Sequence, residues 1–265
     1  MTGKLIFIGL GLWDEKEMTL RALSEARSCK HIFAEMYTSN LFGATKKKIQ
    51  DVIGKPIIVL DRESVENEDD IINFAKKDPV AFLTAGDPMT ATTHVSLRLR
   101  AINEGIPTQI LHGISIVTAS ASETGLQIYK FGRITTLAFP QKNFFPDSPY
   151  HVIDQNIKQG LHSLILLDIA AEKEQYMDIQ TGITLLLKME EKNKLGVIQK
   201  NTLLVGIARI SSPTMMIQAD YPHELLKKDF GPPLHTLIVP GKLHPQEAAA
   251  LITIADAPRE ILKRI

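Results

Sequence analysis

Cysteine is almost missing from this chain of 265 residues: Cys29 stands alone. A single thiol excludes an intramolecular disulfide and any cysteine-based zinc site, and no metal is expected. Charge of one sign is missing too. Thirty basic and thirty acidic residues cancel, which argues against bulk attraction to nucleic acid or to an anionic membrane, so neither is an expected partner. No apolar run approaches the roughly 20 residues that a membrane span needs. No charged-then-apolar leader precedes the first segment, "KLIFIGLGL". Together these absences describe an expected soluble protein of a reducing compartment, read as cytoplasmic.

What is present is enough apolar material, 44% of residues, for one large or two medium α/β domains. The first half alternates short strand-like runs with amphipathic helices. "KLIFIGL", "HIFAE", "PIIVL", "VAFLTAG" and "TQILH" read as strands. Helical patterns lie around Leu20, Leu23 and Ala26, over "TKKKIQDVIG" with Gly54 just past its end, over "DDIINFAKK" and over "TTHVSLRLRAINEG". Such alternation with short links predicts a largely parallel sheet covered on both faces.

After His112 the texture changes. "GISIVTASASETG" predicts a tightly packed helix, and "ITTLAFP", "HSLILLDI", "NTLLVGIARI", "TMMIQA" and "LHTLIVPG" predict strands, with helices at "GITLLLKMEEKNK" and "PQEAAALITIA". A serine-proline turn between "LLVGIARI" and "TMMIQA" predicts an antiparallel pair. The fold class is thus two α/β domains, residues 1–112 with a mostly parallel sheet and 113–265 with a mixed one.

Several stretches invite chemistry. "IGLGLWD" places Gly9 and Gly11 after a strand, and Glu35 ends the second strand where a ribose-binding acid would sit. The third glycine of a dinucleotide fingerprint would fall at Asp14, however, beside the bulky Trp13, so neither nicotinamide nor flavin is favoured. "TAGDP" is more specific. Gly86 lets the backbone turn, Pro88 fixes its exit, and Asp87 is held at the carboxyl end of a strand, where open α/β sheets bind ligands. The competing reading is a helix N-cap by Asp87, a role open also to Thr90 and Thr92. Gly113 and Ser115 open a helix whose free N–H groups could face a polar ligand or simply be capped. His94, His112, His235 and His244 lack metal-ligand spacing, and no G-x-S-x-G elbow supports a hydrolase. The loop "FPQKNFFPDSPY", residues 139–150, carries Phe144, Phe145 and Tyr150, either as a recognition surface or tucked into the core.

"FIGLGL", "AFLTAGDPMTATTH", "GLQIYKFG", "LLDI" and "PGKLHPQE" occur in one order along nearly the whole chain. They resemble the diphthine synthase family, the archaeal and eukaryotic branch of the tetrapyrrole-methylase-like methyltransferases. The resemblance implies S-adenosyl-L-methionine as methyl donor, bound in a cleft between the two domains, and a homodimer. It implies translation elongation factor 2 as protein substrate, methylated on the amino group of a 3-amino-3-carboxypropyl histidine. The archaeal type adds three methyls and the eukaryotic type a further ester; the compact chain is more like the archaeal form. By position, the resemblance assigns Leu12, Asp87, Thr90, Ser115, Ile116, Leu166, Ala208, Ile210 and His235 to the donor, and it names no catalytic base.

Two alternatives remain at this point. A related enzyme acting on a corrinoid or porphyrin precursor would want arginines for its carboxylates, for which Arg133 and Arg209 are the candidates. A non-enzymatic nucleotide-binding module is the other. A neutral enzyme that docks a folded partner must rely on shape and loops, which makes residues 139–150 the expected contact. Trp13, beside the expected site, is the natural optical reporter.

Overall fold

The computed structural model describes residues 3–35, 41–60, 68–142, 145–170 and 174–264. The chain divides into two compact units, Met1–Ile116 with Ala170–Glu174, and Val117–Ile169 with Gln175–Ile265.

The first unit is built on five parallel strands: β1 (Lys4–Gly9), β2 (His31–Glu35), β3 (Ile58–Leu60), β4 (Pro79–Thr84) and β5 (Thr108–Leu111), in spatial order β3-β2-β4-β1-β5. β1 shows why its run is apolar throughout. Ile6 and Ile8 point into one buried cluster, and Leu5 and Phe7 into another on the opposite face. A strand covered on both faces has no solvent side on which to place a polar residue.

Among the described residues the helices of the first unit include α1 (Leu20–Ser28), α2 (Lys46–Ile53) and α3 (Asp69–Ala75). α1 starts where the Thr19 hydroxyl accepts the Ala22 N–H, and α2 ends in Gly54 at φ 78°.

The helix expected from Thr92 onward starts later, as α4 (Val95–Asn103). The cause lies in the Pro88 carbonyl, which accepts from the Thr92 hydroxyl at 2.8 Å and from His94 Nδ1–H at 2.9 Å. Those bonds hold the threonine cluster as a loop, so neither Asp87 nor its threonines cap a helix.

The second unit carries a mixed sheet of β6 (Thr135–Leu137), β7 (Ser163–Leu167), β8 (Leu204–Ala208), β9 (Met216–Asp220) and β10 (His235–Val239), in order β9-β8-β10-β7-β6. β6 and β7 are parallel, and the other neighbours antiparallel, including the expected pair β8–β9. Its longer helices are α5 (Ile116–Thr124), α6 (Ser148–Lys158), α7 (Ile179–Asn193) and α8 (Pro245–Ile254).

The described aromatic residues of the segment 139–150, namely Phe139, Phe145 and Tyr150, pack into the core of the second unit. α6 begins inside the segment, Tyr150 is fully buried, and Phe145 packs half-buried on the same core. The Tyr150 hydroxyl donates to Glu190 Oε2 at 2.7 Å and accepts the Leu195 N–H at 3.1 Å. A ring with a satisfied hydroxyl is more stable inside than on a wet surface. Phe144 lies outside the described residues. No helix among the described residues is long and apolar enough to cross a membrane.

Candidate functional site

Three loops converge at the carboxyl edge of the first sheet. β1 runs out through Gly9 and Gly11, β4 through Ala85 and Gly86, and β5 through His112 and Gly113. Their backbones touch. A Cβ on Gly9 would stand 2.5 Å from both the Gly113 nitrogen and the Gly86 oxygen, and one on Gly113 would meet Gly86 closer still. Gly11 and Gly86 form a two-way bridge, with the Gly86 N–H donating to the Gly11 oxygen at 2.6 Å. Both have positive φ, 84° and 73°, which disfavours side chains. On its open side Gly86 is bare, since a Cβ there would meet only the Ile114 carbonyl, at 4.0 Å.

The glycine turn after β1 is not an anion cradle. The Glu17 carboxylate already accepts the N–H of Leu12 and, at 3.1 Å, that of Trp13. A phosphate would have to displace a built-in negative charge. Glu35, the acid a dinucleotide site would need, is fully buried. Its Oε1 lies 3.7 Å from Nε2 of the equally buried His94. Both observations count against a dinucleotide.

Asp87 is braced from three directions. Its Oδ1 accepts the Met89 N–H at 3.0 Å and the Thr90 hydroxyl at 3.2 Å. Its Oδ2 accepts Nδ1–H of His112 at 2.7 Å. The Asp87 side chain is 8% exposed and that of His112 73%. The first unit thus brings Asp87 and Thr90 into direct contact. Leu12 and Ser115 occupy loops of the same sheet edge and Ile116 opens α5, all three half-buried.

In the second unit the remaining four residues share one edge. β7 and β8 run in the same direction, opposite to β10, so Leu166 and Ala208 near their carboxyl ends lie level with His235 at the start of β10. Ile210 follows two residues beyond β8. Leu166 is half-buried, whereas Ala208 has no exposed surface and belongs to the core.

His235 is held in one neutral tautomer. Nδ1 accepts the Ile179 N–H at 3.3 Å, and Nε2–H donates to the Pro232 oxygen at 3.0 Å. Burial pushes its pKa below the ordinary range.

Arg209 was a candidate receptor for substrate carboxylates, but its guanidinium is engaged by carbonyls. Nε and Nη2 donate to Thr214 O at 3.1 and 2.8 Å, and Nη1 donates to Pro232 O at 2.6 Å. It clips two loops beside Ala208 and Ile210.

Sequence reasoning passed over two side chains that organise these units. His112 drew notice only as a metal ligand, although it directly precedes Gly113 at a parallel-strand end. Glu247 had no visible signal beyond its place in "HPQE", where it completes a capping box with His244. Its carboxylate ties three separate segments of the second unit together. No group of three or more metal-ligating side chains occurs among the described residues.

With this geometry the chain can be set beside known proteins. The family model described as Tetrapyrrole (Corrin/Porphyrin) Methylases matches residues 4–202. A diphthine synthase of Methanosphaera stadtmanae is 44% identical over 259 residues, covering 98% of each chain. One of Methanococcus maripaludis is 47% identical over 248 residues, 93% of this chain and 97% of that one. A crystal structure of diphthine synthase matches with a TM-score of 0.90 and 34% identity, over 98% of this chain and 99% of the other.

Proposed function

Since this chain belongs to the diphthine synthase branch of the tetrapyrrole methylases, and is a methyltransferase of diphthamide biosynthesis, we propose that it trimethylates elongation factor 2. The acceptor is the amino group of the 3-amino-3-carboxypropyl histidine, and the donor is S-adenosyl-L-methionine. When bound, the donor supplies a methyl group on a sulfonium whose positive charge disperses as the new bond forms. The reaction takes place in the cytoplasm, with the acceptor.

The observation that supports the donor assignment best is the bare backbone at Gly86, beside a carboxylate that cannot swing away. An ionised carboxylate has about four acceptor positions. Three on Asp87 are occupied internally, which leaves one for a cationic amino group. Leu12, Thr90, Ser115 and Ile116 complete the donor contacts of the first unit, and Leu166, Ala208, Ile210 and His235 those of the second. Ala208 contributes through its backbone, its side chain being enclosed. Rigid loops of this kind act by alignment, which is worth roughly 7–11 kcal/mol of barrier in well-oriented systems.

A corrinoid or porphyrin acceptor is disfavoured because the Arg209 guanidinium is engaged by oxygens of Thr214, Phe230 and Pro232. The homodimer has a candidate face on α4, where Val95, Leu99 and Ile102 recur at helical spacing and are 56%, 55% and 48% exposed. Replacing Leu99 with Glu should shift the mass measured by light scattering from dimer to monomer.

The deciding experiment supplies labelled donor to elongation factor 2 carrying the unmethylated intermediate. Three methyl groups per acceptor are expected by mass spectrometry. Tight donor binding without incorporation would overturn the substrate assignment.

A further inference from the structure

We infer that His112 takes the protons which the acceptor amine must lose, with Asp87 as its positioning residue; this rests on the amine methylation proposed above. The geometry carries it. His112 Nδ1–H donates to Asp87 Oδ2 at 2.7 Å, which leaves the lone pair of a neutral ring on Nε2, the face turned away from Asp87. Among the described residues Nε2 has no hydrogen-bond partner, and the side chain is 73% exposed.

The ring is aimed rather than loose. Asp87 is pinned by Met89 and Thr90, and the backbone at Gly113 is wedged against Gly9 and Gly86. A nearly buried carboxylate orienting an exposed imidazole at a ligand-binding sheet edge is the arrangement of an oriented general base. The neighbouring carboxylate Glu17 is engaged by the N–H groups of Leu12 and Trp13 and so is not free for this task.

The chemistry balances around Nε2. The substrate ammonium gives one proton to Nε2, and the freed nitrogen lone pair forms a bond to the methyl carbon as the carbon–sulfur bond breaks. The donor leaves as a neutral thioether, and the positive charge moves to the substrate nitrogen. Three rounds release three protons and end at a quaternary nitrogen with no N–H left. Between rounds the imidazolium must pass its proton to water, which the exposure of the ring permits.

The test measures donor binding and methyl transfer separately. His112→Asn keeps a side-chain donor toward Asp87 but has no basic nitrogen. Donor affinity by calorimetry should stay within about threefold, while methyl transfer to the elongation factor intermediate should fall on the order of 10²-fold. Imidazole added to His112→Gly should restore turnover in proportion to its concentration, which a merely structural role would not produce. Turnover of His112→Asn within about threefold of the parent would overturn the inference. So would a rate loss matched by an equal loss of donor affinity. If the parent enzyme itself fails to methylate the elongation factor, the underlying reading falls, and this inference falls with it.

Discussion

Replacing Glu247 with Gln changes one atom of a side chain that is 1% exposed and should cost the second unit about 3 kcal/mol. Oε1 accepts the Gln127 N–H and His162 Nε2–H, each at 3.0 Å. Oε2 accepts the His244 N–H at 2.7 Å and the Lys130 ammonium. His162 is neutral, its pKa depressed by burial, and its Nδ1 accepts the Gly241 N–H at 3.0 Å. Burial alone would raise the Glu247 carboxyl. The hydrogen bonds from His244, Lys130, Gln127 and His162 outweigh it and hold the pKa at about 2, against an ordinary 4.5.

A depressed carboxyl pKa stabilises the fold above the unfolded value, and that stabilisation fades as pH falls toward the folded value. A gap of about 2.5 units corresponds to roughly 3.4 kcal/mol at pH 7 and roughly 1.4 at pH 3. Glutamine can accept on one side only, so its NH₂ faces two donors and Lys130 loses its counter-charge. Urea unfolding of parent and Glu247→Gln at both pH values checks this. The difference between them should shrink by about 2 kcal/mol on acidification. A pH-independent difference, or one below about 1 kcal/mol at pH 7, would refute the reasoning.

Gly9→Ala should destabilise the first unit by at least about 2 kcal/mol in urea unfolding and weaken donor binding, because the added carbon meets backbone atoms that cannot rotate away. Arg209→Lys should lower stability by about 2 kcal/mol, since an ammonium cannot bridge the carbonyls of Thr214, Phe230 and Pro232 together. Trp13, the one tryptophan, packs over Gly43 beside the Glu17-capped turn. Its fluorescence should change saturably with S-adenosyl-L-methionine and not with NAD, as a titration of each will show.

Much of the fold was legible in the chain because the first unit's strands are apolar without alternation. Only burial on both faces accommodates such a run, and β1 confirms it by sending Ile6 and Ile8 one way and Leu5 and Phe7 the other. The antiparallel β8–β9 pair was legible for a similar reason, since a short turn between two strands permits little else. The "GDP" segment was legible as a rigid feature, but its helix-cap alternative was not removable by inspection. Capping and loop-bracing use the same short polar side chains, and which bond forms depends on where the next helix begins.

Other features were invisible for a physical reason. Tyr150 in a proline-punctuated stretch looks exposed until its hydroxyl meets Glu190, forty residues on. Glu247 meets Gln127, Lys130 and His162 across 85 to 120 residues. Arg209 looks like an anion receptor until carbonyls from two loops surround it. By itself the sequence determined the strand–helix alternation, the glycines that three crossing backbones require, and the family. Those properties reside in local periodicity and in side-chain size. Tertiary structure alone decided which polar groups are engaged internally and which, such as Nε2 of His112, remain open, because satisfying a buried polar group takes partners that the chain brings near only by folding.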